Sequence, residues 1–269
     1  MKNVKISPWR IVSTAVYAAP NEGKIYGTLD LDVTDAVASI HEEREKGSRV
    51  TITHLFTSIL GRALYFDVPE VNAYLKRGKL VFRENIDVTV AVNMGNGQEM
   101  SSIKIGNAHI KTVAEIGEEV RTKAARHRQG DEDGTSNSKF LLVKIPWPFR
   151  RPAFLLIKFL NDNLGISMPS LGLSNSPFGS ILLTNIGSHG LSTGHAALFP
   201  GSKLPAVIVM GGVEERPVVR NGEVVIRKMI TLSGTFDHRI MDGFHGGKLA
   251  AAVRRYVDQP KQLFEKPNL

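Results

Sequence analysis

One stretch of this chain gathers the groups best suited to proton chemistry. It reads Ser233-Gly234-Thr235-Phe236-Asp237-His238-Arg239-Ile240-Met241-Asp242-Gly243-Phe244-His245-Gly246-Gly247. Histidine is the side chain whose ordinary pKa lies nearest neutrality, so it can take a proton and return it. The pattern predicts a strand ending on His238, a short connection through Asp242-Gly243, and a helix starting just after. Catalytic groups are often carried where a rigid strand gives way to a loop. A lone histidine there is also, commonly, an ordinary hydrogen-bonded residue. The same stretch leaves a metal reading open, with His238, Asp242 and His245 offering two imidazoles and a carboxylate. Against it, no second cluster of that kind occurs, and Gly246-Gly247 reads as helix entry. The chain has no cysteine. A disulfide scaffold, a Cys-ligated metal and a Cys nucleophile are excluded, so any reacting thiol must be carried by something else.

The elements that must position these groups can be read from periodicity. Val33 to Lys46 predicts a helix capped by Thr34 or Asp35, and Thr53 to Phe66 a second, in which Leu55, Ile59, Leu60 and Leu64 repeat at helical spacing. Asn72–Leu75 and Leu80–Phe82 flank Arg77-Gly78 as a hairpin, and Asp87–Val92 alternates as a strand. Thr112 and Glu115 have capping-box spacing at the head of a helix reaching His127. In the last third, Ser180–Thr184, Ala206–Met210 and Met229–Phe236 predict strands. Val218 to Ile226 predicts a hairpin turning on Asn221-Gly222, and Phe244–Val257 an amphipathic helix. Together these give one α/β domain over 1–269.

Composition agrees. Of 269 residues, 42% are hydrophobic and 22% charged, the profile of an ordinary globular chain. The 34 Lys plus Arg against 26 Asp plus Glu leave +8, scattered rather than clustered, which argues against nucleic acid as a partner. No run reaches the ~18 apolar residues of a membrane span. Ile11–Ala19 is interrupted by Ser13 and Thr14 and lacks a clear cleavage site, so a cytoplasmic protein is expected. Gln129–Lys139 reads as a mobile surface loop. Phe140–Leu164 has two readings: a proline-broken loop with a buried helix, or a basic, aromatic surface over 147–160 that makes peripheral contact with lipid or a long acyl chain.

His238-Arg239-Ile240-Met241-Asp242-Gly243, preceded by Asp237, resembles the signature of the dihydrolipoyl acyltransferases, the acyl-transferring core subunits of the 2-oxo acid dehydrogenase complexes. Asp242-Gly243-Phe244-His245 is similar to the matching run of chloramphenicol acetyltransferase, which shares their fold. The likeness continues through Thr53–Leu64, Pro69-Glu70-Val71-Asn72 and Asn85–Val92. It extends to Phe178-Gly179-Ser180-Ile181-Leu182-Leu183-Thr184-Asn185-Ile186-Gly187, beside the family's Phe-Thr-x-Ser-Asn-Leu-Gly strand. In order, these cover most of residues 1–258. The resemblance implies a chloramphenicol acetyltransferase-like two-layer sandwich, a mixed β-sheet flanked by helices.

It also implies a mechanism. His238 acts as general base on a thiol, of coenzyme A or of dihydrolipoamide, and the thiolate attacks the partner's thioester without an acyl-enzyme. A thiol near ~8.5 and an imidazole near ~6.5 are matched well enough for that transfer. The family's oxyanion donor is a serine, and Thr184, which keeps the hydroxyl, stands at its position. Taken alone, Thr184 reads as an ordinary β-branched strand residue. Asp242 is implied to be structural, ordering the histidine loop with Arg10 as partner. Gly243 is expected to serve backbone conformation or close approach, and Asn185 to orient the site. Further implications are homotrimers or larger assemblies of trimers, with the histidine and the hydroxyl from different chains. Acyl-CoA is the expected substrate, its phosphates suiting the basic excess. A lipoyl group is expected only if a lipoyl-bearing protein or dehydrogenase component supplies it in trans, since no lipoyl or subunit-binding domain is recognisable. Two alternatives stay open: a non-catalytic trimeric scaffold, and a membrane-associated long-chain acyltransferase.

Overall fold

The structure is a computed structural model that describes residues 23–94, 99–128, 149–166, 178–198 and 201–268. Arg10 and the loop expected at 129–139 lie outside the described residues, as does the stretch 140–148.

Among the described residues, seven strands form the main sheet. In chain order they are β1 (Lys24–Asp32), β4 (Val88–Met94), β5 (Glu99–Ile105), β6 (Ile181–Asn185), β7 (Ala206–Met210), β8 (Glu214–Arg220) and β9 (Glu223–Asp237). Strands β2 (Ala73–Lys76) and β3 (Lys79–Phe82) make a separate hairpin. The main order is β1-β9-β7-β6-β4-β5, with β8 also paired to β9. The β4–β6 and β6–β7 pairs are parallel and the rest antiparallel. Among the described residues, five α-helices accompany the sheet: α1 (Thr34–Glu45), α2 (Ile52–Arg62, continued by a wider turn over Ala63–Asp67), α3 (Val113–Arg128), α4 (Arg150–Asp162) and α5 (Gly243–Asp258). This is the mixed sheet with flanking helices that the resemblance implies.

Strand alternation sorts the side chains between two faces. Val88, Val90, Ile103, Ile105, Ile181, Leu183, Ile208 and Met210 point into one core with Leu55, Ile59, Leu60 and Leu64 of α2 and Leu249 and Val253 of α5. The apolar stripe expected of α2 is therefore its buried face. Arg62, 3% exposed, spends its charge on the chain end, donating to Gln262 O at 2.7 Å and Glu265 O at 2.6 Å. The opposite sheet face carries a smaller cluster of Leu198, Leu204 and Val207, with Leu182 packed against it.

Local signals behave as expected where their partners are near in sequence. Thr112 N–H donates to Glu115 Oε2 at 2.9 Å, and Glu115 N–H to Thr112 Oγ1 at 3.2 Å, completing the capping box. Asn221 and Gly222 both adopt positive φ, +52° and +84°, as a tight hairpin turn demands. The cap of α1 differs from expectation: neither Thr34 nor Asp35 supplies it. The Asp32 carboxylate accepts from Thr34 N–H at 3.1 Å and from its hydroxyl at 2.7 Å. Gly211, just past β7, has no alternative, because a Cβ there would stand 1.8 Å from Ser192 O.

His54 on α2 is expected to make the fold sensitive to acid. Its Nδ1 is buried with no hydrogen-bond partner among the described residues. Burial, reinforced by the nearby Arg44 charge, pushes its pKa down to about 4. The unfolded chain regains an ordinary histidine near ~6.5. As pH falls between those values, the unfolded state takes up a proton that the folded state refuses, so stability declines across that window. His54→Gln is expected to shrink the difference in urea-unfolding free energy between about pH 7 and about pH 4.5; an unchanged difference would assign the acid sensitivity elsewhere.

Candidate active site

Strand β9 ends at Asp237, and His238 is the first residue of the turn that follows. The turn is tightly closed. Ile240 N–H and Met241 N–H both donate to Asp237 O at 2.9 Å, and His238 N–H donates to Gly23 O at 2.7 Å. Around His238 stands a clamp that the sequence pattern did not reveal. Asp237, 3% exposed, receives Arg239 through Nε at 2.9 Å and Nη2 at 2.5 Å. Such a two-pronged guanidinium–carboxylate pair fixes direction as well as distance. The residues on either side of His238 are thus locked to each other beneath it.

The imidazole is oriented by the same turn. Its Nδ1 lies 2.8 Å from Met241 O. A carbonyl oxygen can only accept, so Nδ1 carries the proton and Nε2 has the lone pair. That is the tautomer a general base requires.

Asp242 caps α5, its Oδ1 accepting from His245 N–H at 3.2 Å and meeting His245 Nδ1 at 2.6 Å. Arg10, the partner expected for it, lies outside the described residues. Among the described residues, no three His, Asp or Glu side chains come together as metal ligands. Gly243 departs from expectation. It opens α5 without a positive φ and with open space where a Cβ would stand. Among the described residues, neither a positive φ nor a close approach accounts for glycine at this position.

Thr184 sits near the end of β6 and is 8% exposed. It alternates with Leu183, so it faces away from the helical core. Asn185 does not reach toward His238. It braces the strand end, accepting from Gly187 N–H at 2.9 Å and donating to Thr53 Oγ1 at 3.1 Å. The decisive geometry is the register. Thr184 pairs with Val209, and Val209 with Ser233, five residues before His238 on β9. Two strand spacings across and five residues along place Thr184 and His238 on the order of 19 Å apart, toward opposite ends of the sheet. One chain does not bring them together.

A family model of the 2-oxoacid dehydrogenases acyltransferase catalytic domain matches residues 11–140 and 170–265. The chain belongs to the 2-oxoacid dehydrogenase acyltransferase family. Among curated members, it is 22% identical to the dihydrolipoyllysine-residue acetyltransferase component of the Rickettsia felis pyruvate dehydrogenase complex. That match covers 230 residues, 86% of this chain and 45% of the relative's length. The chain thus spans less than half of that protein.

Several solved structures share the fold. A probable dihydrolipoamide acetyltransferase from Listeria monocytogenes superposes with a TM-score of 0.65 at 20% identity, covering 100% of this chain and 97% of the other. The cubic core of a pyruvate dehydrogenase multienzyme complex gives 0.64 at 13%, covering 98% and 95%. A chloramphenicol acetyltransferase gives 0.52 at 12%, covering 93% and 94%. The two-layer architecture expected from the sequence is the architecture found. Between the two matched stretches lie residues 141–169, which include α4 and are not matched by the family model. The expectation of a buried helix fails on the outer side of α4, where Leu155, Leu156 and Phe159 are 51, 60 and 49% exposed.

Proposed function

We propose that this chain transfers an acyl group between coenzyme A and a dihydrolipoyl-type thiol, at a site shared by two chains of a homotrimer. The observation carrying this reading is the His238 turn, in which Met241 O fixes the base tautomer and the Asp237–Arg239 pair holds the backbone. His238 Nε2 takes the proton of the incoming thiol as its sulfur bonds to the thioester carbonyl. The carbonyl oxygen gains negative charge and is met by the Thr184 hydroxyl of a neighbouring chain. When the carbon–sulfur bond to the leaving thiol breaks, the imidazolium returns its proton to that sulfur. Atoms and charge balance without a covalent enzyme intermediate, consistent with a chain that has no cysteine.

Two features support a neighbour. A general base and an oxyanion donor must both lie within hydrogen-bond reach of one reacting group, and in a single chain they stand far apart. The sheet also offers a surface to a second copy. Among the described residues, strand β1 pairs with Met229–Asp237 of β9 and no further, so Glu223–Lys228 and β8 project as a two-stranded ribbon. One face of it exposes Val219, Val224 and Ile226, at 70, 72 and 63%. The open space over Gly243 would suit close approach by another chain.

The direct test is to incubate the protein with acetyl-CoA and dihydrolipoamide and follow S-acetyl-dihydrolipoamide by mass spectrometry. Catalysed formation is expected. Tight assembly with dehydrogenase components and no turnover with any short-chain acyl-CoA would favour the scaffold reading.

A further inference from the structure

Asp242 does more than cap a helix. A cap needs one acceptor for a backbone N–H of the first turn, and His245 N–H makes that bond at 3.2 Å. The same Oδ1 also lies 2.6 Å from His245 Nδ1. An oxygen that accepts one N–H accepts the other, so His245 Nδ1 carries a proton. Backbone and ring of one residue therefore converge on one oxygen, a restraint that capping alone does not require. The ring is itself held. Its side chain is 15% exposed, and Phe244 stands edge-on to it, with centroids 5.6 Å apart at 84°. Lys248 lies over the Phe244 ring and is tied to Glu70 at 2.7 Å.

What Asp242 holds in place is the peptide bond before it. The oxygen that meets His238 Nδ1 is Met241 O, at 2.8 Å, the carbonyl of the Met241–Asp242 peptide. A peptide unit is planar, so that carbonyl can turn only if ψ of Met241 or φ of Asp242 changes. Met241 is fixed on its own side: it is 1% exposed, and its N–H donates to Asp237 O at 2.9 Å. Asp242 forms the other side. It is extended, at φ −131° and ψ −173°, and its carboxylate is gripped by His245. A path thus runs from the His245 ring, through the Asp242 carboxylate and one planar peptide, to the ring of His238.

We propose that His245 is a positioning residue for His238, holding the Met241–Asp242 peptide so that His238 keeps its proton on Nδ1 and its lone pair on Nε2. Its effect on rate rests on the acyl-transfer reading, so the test carries a second readout that needs no turnover. In the full-length protein, His245→Ala keeps the capping N–H and loses the ring. It is expected to lower kcat roughly ten- to a hundredfold, the scale on which a small misplacement of a reacting group acts, with little change in the KM for acyl-CoA. His245→Asn can put an N–H where Nδ1 stands and should recover most of the rate. His245→Phe fills the ring's space without that N–H; it should behave like alanine and guards against a loosened helix. In a His238→Ala background, His245→Ala should cost almost nothing further, because nothing is left to position. The second readout is the nitrogen-15 spectrum of histidine-labelled protein at about pH 8, where an ordinary histidine is neutral, with His238→Ala identifying the His238 signals. The parent and His245→Asn should show His238 protonated at Nδ1, and His245→Ala and His245→Phe a mixture of tautomers. That shift in a protein without acyltransferase activity would sink the catalytic reading and leave the positioning role standing. An unchanged His238 tautomer in both His245→Ala and His245→Phe would overturn the proposal. So would a lost rate that His245→Asn does not recover.

Discussion

His238→Ala is expected to reduce kcat for acyl transfer by about a hundred- to ten-thousandfold, the usual contribution of a positioned general base, with little change in the KM for acyl-CoA. The expectation rests on geometry. Met241 O, 2.8 Å from Nδ1, leaves Nε2 as the basic nitrogen, and the substitution removes that imidazole–carbonyl bond while leaving the backbone bonds that close the turn. The turn is held by Asp237 O, Gly23 O and the Arg239 fork, all of which survive the substitution. A folded, assembled His238→Ala protein with unimpaired turnover would remove His238 from the mechanism. His238→Gln offers a control: it keeps a polar group but cannot cycle a proton at neutral pH, so it should be nearly as slow.

The second large effect concerns Thr184. Thr184→Val keeps shape and removes the hydroxyl, and loss of one oxyanion donor typically lowers kcat roughly 10²–10³-fold. Thr184→Ser should restore most of it. The informative experiment combines the two defects. His238→Ala and Thr184→Val chains are unfolded together, refolded and compared with each alone. If the site is shared between chains, mixed assemblies contain interfaces with an intact histidine from one chain and an intact hydroxyl from the other, and activity returns. If each chain carried its own complete site, every site would keep one defect and the mixture would stay slow. The roughly 19 Å implied by register between the two residues predicts recovery.

How far the sequence reveals all this depends on the range over which each signal acts. The Thr112–Glu115 box, the Asn221-Gly222 turn and the His238–Gly243 run are local chemistry, and each is found where it was read. Strand β1 escapes notice because Gly27 interrupts the alternation of Ile25, Leu29 and Leu31. Strand β5 escapes because only Ile103 and Ile105 mark its buried side. The Asp32 cap lies on the preceding strand, outside the window in which a cap is sought. The Asp237–Arg239 clamp is visible as two charges flanking a histidine, but not as a bidentate pair. The outward face of α4 was unreadable in principle: an amphipathic stripe declares that one side is apolar, not which side meets the protein. Thr184 and His238 could be named from motifs, yet their separation is a property of strand register, which no local pattern records.

Strand β9 joins two regions of the molecule. Its first half belongs to the projecting ribbon and its second half to the sheet, and its fifteen residues run without a break from Glu223 to the residue before His238. A strand's side chains alternate, so sliding it by one residue turns every one of them over. Whatever grips Val224 and Ile226 therefore also fixes the phase of the ladder that ends at the histidine. In that sense β9 is a ruler, with an exposed apolar patch at one end and the candidate base at the other.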